Sequence, residues 1–141
     1  MHSVTDTYLK SILSSHGYSL TKPRRVVFNN LYGREPITMS ALIRVVAEEV
    51  DRVSIYRAVK LFEQLGIVQR LNSGWKYKLE LSDKFTAHHH HLNCTSCGIV
   101  ININEERLEQ FINSLAKDKK FLALAHQIEI QGLCIKCVNK K

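Results

Sequence analysis

Hydrophobic side chains in the first half of the chain recur at helical spacing in four stretches. Tyr8, Leu9, Ile12 and Leu13 follow Thr5 or Asp6 as N-cap, and Gly17 closes the segment. A second stretch opens at Thr21 with Pro23 in its first turn, where a missing N–H costs little. Val26, Val27 and Leu31 form its stripe, and Gly33 is its stop. Thr38 is expected to cap a third helix carrying Leu42, Ile43 and Val46, and Asp51 a fourth running to Gly66. On that fourth helix Ile55, Ala58, Val59, Phe62 and Leu65 make a continuous core-facing stripe. Arg52, Ser54, Tyr56, Arg57 and Lys60 occupy the other face.

The period then changes from helix to strand. Residues 67–71, a turn at Asn72-Ser73-Gly74, and residues 75–81 read as a hairpin. In its second arm Trp75, Tyr77, Leu79 and Leu81 alternate with Lys76, Lys78 and Glu80, and Trp75 and Tyr77 are expected to pack into the core. A basic amphipathic helix alone is as well explained by a solvated surface. A run of helices ending in such a helix and then a basic hairpin describes a winged helix-turn-helix. The fourth helix would enter a major groove, and Arg70, Lys76 and Lys78 would lie along the wing within reach of phosphates.

The second half has its own pattern. Residues 88–93 should be extended where they lead into Cys94, and residues 99–103 form a β-branched strand. Asn104 is expected to cap a helix with Leu108, Phe111, Ile112 and Leu115 inward. Residues 121–130 read as a further strand on which His126, Ile128 and Ile130 share a face.

Composition changes this picture in two ways. Of the 141 residues, 45% are hydrophobic and 23% charged, which excludes a disordered chain and leaves room for one average domain or two small ones. No apolar run reaches the ~18 residues of a spanning helix, and the opening residues lack a secretory pattern, so a cytoplasmic protein without a membrane role is expected. The net charge of +7 favours a polyanionic partner, nucleic acid first. That charge is shared: 12 basic against 8 acidic side chains over residues 1–83, and 8 against 5 over 84–141. The soft ligands are not shared, because all 4 cysteines and 5 of the 7 histidines lie in the last 54 residues. The asymmetry predicts two units, 1–83 and 84–141, with a boundary near Ser82-Asp83-Lys84.

Cys94-Thr95-Ser96-Cys97 and Cys134-Ile135-Lys136-Cys137 are two CxxC pairs with 36 residues between them. In a reducing compartment two such knuckles favour one tetrahedral, structural Zn2+ over a redox pair, disulfides or unrelated buried thiols. In the tract His88-His89-His90-His91, strand alternation places His88 and His90 on one face and His89 and His91 on the other, so each pair needs further ligands. His126 is a candidate third ligand, although a lone histidine beside isoleucines is more often a core residue. Glu109 on its own reads as a solvated carboxylate.

Together these residues resemble the ferric uptake regulator family over nearly the whole chain. The resemblance is carried by Ser54-Ile55-Tyr56-Arg57, by the His88–His91 tract followed by Cys94-x-x-Cys97-Gly98, by His126 with Cys134-x-x-Cys137, and by Thr21-Lys22-Pro23-Arg24-Arg25 as the early basic segment. It implies an α+β chain: an N-terminal winged helix-turn-helix DNA-binding domain, then a small α/β dimerisation domain with a four-cysteine zinc site at Cys94, Cys97, Cys134 and Cys137. It further implies a dimerisation-domain metal site at His88, His90, Glu109 and His126, and a hinge site with Glu80, His89 and His91. The hinge set departs from the family's pattern, because Pro36 stands near the family's DNA-domain histidine and Asn102 where a carboxylate is common.

The function so implied is a homodimeric regulator of metal-uptake or stress genes, most simply a repressor. It would bind a double-stranded operator under control of a second divalent metal: Fe2+, Zn2+, Mn2+ or Ni2+. Tyr56 and Arg57 would reach bases. Arg24, Arg25, Arg52, Ser54, Lys60, Lys76 and Lys78 complete the expected DNA surface. No small organic ligand is implied. A peroxide sensor on the same scaffold is the alternative within the family. A metal-dependent hydrolase is disfavoured because no HExxH or other general-base motif accompanies the ligands.

Overall fold

In the computed structural model, which describes residues 2–73 and 76–140, the chain divides into two units. One is built from Met1–Asn72 with Lys76–Ala87, and the other is centred on His88–Lys141. The division falls between Ala87 and His88, past the position read from the ligand distribution, because Phe85 stays with the first unit. Its ring lies 4.9 Å from that of Phe28 and 5.3 Å from that of Tyr8, and Thr86 Oγ1 donates to Ser82 O at 3.3 Å.

The first unit runs α1 (His2–Ser15), α2 (Lys22–Leu31), β1 (Ile37–Thr38), α3 (Met39–Val46), α4 (Arg52–Gln64), β2 (Val68–Ser73) and β3 (Lys76–Leu81). Helix α1 begins before Thr5 and Asp6, so neither caps it, and Asp6 instead pairs with Arg25 at 3.2 Å. Thr21 is the N-cap of α2 without a side-chain bond. Thr38 and Asp51 do cap α3 and α4, accepting from Ala41 N at 3.3 Å and Ser54 N at 3.0 Å. Helix α4 stops at Gln64. Gly66, with φ +63°, then turns the chain into β2 in a conformation that a Cβ would strain. The stripes of these helices meet in one core that includes Leu9, Phe28, Leu42, Ile55 and Phe62, each at most 1% exposed. Such burial stabilises by roughly 2 kcal/mol per side chain.

Strands β2 and β3 form the expected hairpin. The sheet has a third member that periodicity did not show: two-residue β1, pairing Ile37 with Leu79 and Thr38 with Lys78 in the order β1-β3-β2. Tyr77 is half-buried against the core, as expected, while Trp75 and Gly74 lie outside the described residues. The alternation of β3 breaks at Glu80, which is 5% exposed between buried Leu79 and Leu81.

The second unit comprises β4 (His90–Cys94), β5 (Val100–Ile103), α5 (Glu106–Asp118), β6 (Glu129–Gly132) and α6 (Ile135–Val138). Strand β4 is central, antiparallel to β5 and parallel to β6. Three expectations are corrected here. The N-cap of α5 is Glu105 rather than Asn104, and it makes no side-chain bond. The stripe of α5 is not buried, with Phe111 64% and Leu115 48% exposed. The strand expected over 121–130 is confined to Glu129–Gly132, so His126 is not on a strand and Ile130 is 52% exposed. The reason is size. Among the described residues of this unit only Cys94, Val100 and Cys137 are buried apolar side chains, too few to cover both a helix and a sheet face. Among all described residues no helix is long and apolar enough to cross a membrane.

Candidate metal centres and nucleic-acid interface

Strand β4 ends on Cys94, where a tight turn reverses the chain. Gly98 N donates to Cys94 O and Cys94 N to Ile99 O, each at 2.9 Å, with Gly98 at φ +73°. Cys134 is the N-cap residue of α6, and Cys137 N donates to its carbonyl at 2.9 Å. The parallel β4–β6 register sets Cys94 beside Gly132 and so carries the second knuckle to the first. One sulfur from each of the four cysteines lies within 4.8 Å of the others, with Cys97 and Cys134 at 3.7 Å. A tetrahedral zinc with Zn–S bonds of ~2.3 Å needs sulfurs about 3.8 Å apart, whereas a disulfide needs ~2.05 Å. The donor set fits zinc. Backbone N–H groups of Cys134 and then Cys97 pull the Cys94 thiol down to about 6. At Cys97 the Ile99 amide lowers the pKa, but the Cys94 sulfur and burial outweigh it and push the group up to about 11.

The second cluster joins the end of the histidine tract to α5 and the segment before β6. His90 Nε2 lies 2.7 Å from Glu109 Oε1, His126 Nε2 3.0 Å from Glu109 Oε2, and the Nε2 atoms of His88 and His126 are 3.1 Å apart. All four donors fall within 4.8 Å of one another. Helix α5 supplies Glu109 from its first turn, and His90 is 1% exposed. Donors ~2.1 Å from a tetrahedral ion would sit about 3.4 Å apart, so these contacts need to open by about 0.3–0.7 Å. Mixed imidazole and carboxylate donors suit a divalent transition metal. Burial pushes the Glu109 carboxyl up, but hydrogen bonds with His90 and His126 and the His126 and His88 charges together hold it below the usual carboxylate range.

The remaining expected ligands are placed within their own units. His89 and His91 form a separate ring pair, with centroids 4.7 Å apart. Asn102 on β5 lies directly across from His91. In the first unit Glu80 is buried and accepts from Gln69 Nε2 at 3.1 Å, and Pro36 is buried just ahead of β1.

On α4 the exposed face carries Arg52, Tyr56, Arg57 and Lys60, with Ser54 half-buried. Val53, which the sequence reading passed over, is 57% exposed and falls in line with Tyr56, Arg57 and Lys60 at i, i+3, i+4 and i+7. Its spacing was the available signal. Lys76 is exposed and Lys78 half-buried on β3. Three arginines expected to face phosphate have protein partners. Arg25 meets Asp6, and Arg24 donates to Ser19 O and lies 5.3 Å over Tyr18. Arg70 is paired with Glu63.

A model of the ferric uptake regulator family matches residues 15–131. The chain belongs to the ferric uptake regulator family. Members are metal-responsive, DNA-binding regulators of transcription. The chain is 31% identical over 140 residues to the ferric uptake regulation protein of Bacillus subtilis (strain 168), covering 94% of each. Its fold matches the Vibrio cholerae ferric uptake regulator (TM-score 0.69, 26% identity, 89% of this chain and 98% of that one). It also matches the Helicobacter pylori ferric uptake regulator (TM-score 0.78, 22% identity, 97% and 93%). Within this ferric uptake regulator fold the four-cysteine cluster and the histidine–glutamate cluster both belong to the second unit, and the winged helix is the first.

Proposed function

We propose that this chain is a homodimeric, cytoplasmic transcription regulator, most simply a repressor, whose binding to a double-stranded operator depends on a divalent metal. The observation that carries the proposal is the cage of His88, His90, Glu109 and His126, four ligand-type groups converging at hydrogen-bond distance in a chain that also holds a winged helix. Cys94, Cys97, Cys134 and Cys137 would hold structural zinc, with no open coordination position and hence no catalytic role. The histidine–glutamate site would hold the regulatory ion, whose chemistry is to draw four donors from β4, α5 and the segment before β6 into one shell. His89 and His91 are a further ligand pair.

DNA contacts are assigned to α4 and the wing. Tyr56 and Val53 offer apolar surface of the kind that meets thymine methyls, and Arg57 reaches base or phosphate. Arg52, Ser54, Lys60, Lys76 and Lys78 serve the backbone, and Arg24 and Arg25 join them where their protein partners allow. A homodimer is supported by the row Ile101–Leu92–Ile130 across β5, β4 and β6, exposed by 46%, 36% and 52%. Such a row on a 16.2 kDa chain is surface that a second copy would cover.

The test is operator binding by purified protein across buffered divalent metals, with zinc per chain measured beforehand. The expected outcome is at least about a tenfold gain in affinity with the regulatory metal, lost in His126→Ala while zinc content is retained. Unchanged metal dependence in His126→Ala would remove this site from the control of DNA binding.

A further inference from the structure

The groove between α4 and the hairpin is lined by Tyr56, Arg57, Lys60, Glu63, Arg70 and Tyr77. Glu63 is out of place there, since an acid on a DNA-facing surface repels phosphate. It does not face solvent alone. Arg70 on β2 meets it with both edges of the fork, Nη2 donating to Oε2 at 3.0 Å and Nε to Oε1. The same guanidinium lies 4.2 Å over the ring of Tyr77 on β3. Hydrogen bonding to Glu63, against a small cost of burial, raises the pKa of Arg70 further. One side chain therefore ties the recognition helix to both strands of the wing.

We propose that Glu63, Arg70 and Tyr77 form a clamp that sets the wing against α4, with Arg70 a positioning residue rather than a phosphate contact. This rests on the DNA-binding reading above. A duplex is a stiff partner, so base contacts from α4 and phosphate contacts from Lys76 are satisfied together only when helix and hairpin hold one mutual angle. The pairing of β1 with β3 anchors one side of the hairpin. β2 is the opposite edge strand of that sheet, and Arg70 fastens it to the helix. Lysine cannot replace the planar fork in this role.

The clamp and a plain phosphate contact predict opposite results. Binding is measured by fluorescence anisotropy of the metal-loaded full chain over about 50–300 mM salt. The probes are a duplex the chain itself selects from a random pool and an unrelated duplex. Glu63→Gln, Arg70→Gln and Arg70→Lys are each expected to weaken the selected duplex about tenfold and the unrelated one less than about twofold, and Glu63→Gln with Arg70→Gln no more than either alone. The salt slope of Arg70→Gln stays within about 0.3 of the parent, whereas Lys76→Ala lowers it by about 0.9. Tighter binding by Glu63→Gln, parental affinity in Arg70→Lys, or a loss of about 0.9 from the slope in Arg70→Gln overturns the clamp. The pair is at the surface, so melting temperatures should stay within about 3 °C; if Arg70→Gln melts lower, Arg70→Lys carries the test. A parent chain that retains no duplex sinks the DNA-binding reading itself, and the clamp with it.

Discussion

His88 and His90 turn toward Glu109 and His126, while the rings of His89 and His91 meet each other at 4.7 Å. The two-residue period of an extended backbone made that grouping legible from sequence. The part played by Glu109 was legible only through the family resemblance, because nothing local marks a carboxylate one position from Leu108 as a neighbour of His90. The partners of Arg24, Arg25 and Arg70 were hidden in the same way, since each guanidinium is claimed by a residue on another turn or element. Among the thiols, metal-free Cys94 is a thiolate at neutral pH and Cys97 a thiol, with pKa values of about 6 and about 11. Zinc must displace the Cys97 proton at neutral pH, and the Cys94 proton as well once the pH lies below 6. Titration calorimetry in buffers of different ionisation enthalpy should therefore show proton release rising by about one per zinc between about pH 7.5 and about pH 5, with weaker binding at the lower pH. Pre-reduced Cys97→Ser should lose most of its zinc, and retention of about one zinc per chain would contradict the four-thiolate assignment.

Helices with a cap, a stripe and a glycine stop were readable because those signals act within a few residues. Helix α4 shows all three in Asp51, the stripe from Ile55 to Phe62, and Gly66. Its cap carries a prediction. The Asp51 carboxyl is held below its ordinary value, first by the Ser54 side chain and then by the Ser54 amide. A lowered folded-state pKa contributes stability that is present above the usual carboxylate range and lost as pH falls through the lowered value. Asp51→Ala should lower the melting midpoint at neutral pH by a few degrees and differ little from the parent near about pH 2.5, read by circular dichroism. A difference that persists in acid would mean the cap does not act through its charge. Elements whose existence depends on a distant partner escaped the pattern. β1 is two residues long and is a strand only because Leu79 and Lys78 lie beside it. The segment 121–127 has strand-like composition, yet pairing with β4 begins only where His91 N donates to Ile128 O and Glu129 lies beside His91.

At the scale of the molecule the units differ in how much they bury. The first closes a core around Phe28 and Phe62, while the second leaves the row Ile101–Leu92–Ile130 open. A charge in that row should cost the proposed dimer more than the fold. Ile130→Glu is expected to sediment as a monomer near 16.2 kDa with its zinc retained, and to bind operator at least about tenfold more weakly, because half-sites are then occupied one at a time. A dimer of parental stability in that variant would place the interface elsewhere. The sequence by itself determined the local matters: where helices start and stop, that a hairpin follows α4, that two CxxC pairs imply a shared ion, and which histidines share a face. These depend on backbone periods and ligand chemistry within a few residues. Only the tertiary structure decided that Glu63 engages Arg70 and that the stripe of α5 stays open, and it brings Glu109 and His126, named by the family resemblance, within 4.8 Å of His88 and His90. Those outcomes depend on packing between different elements, which no local period encodes.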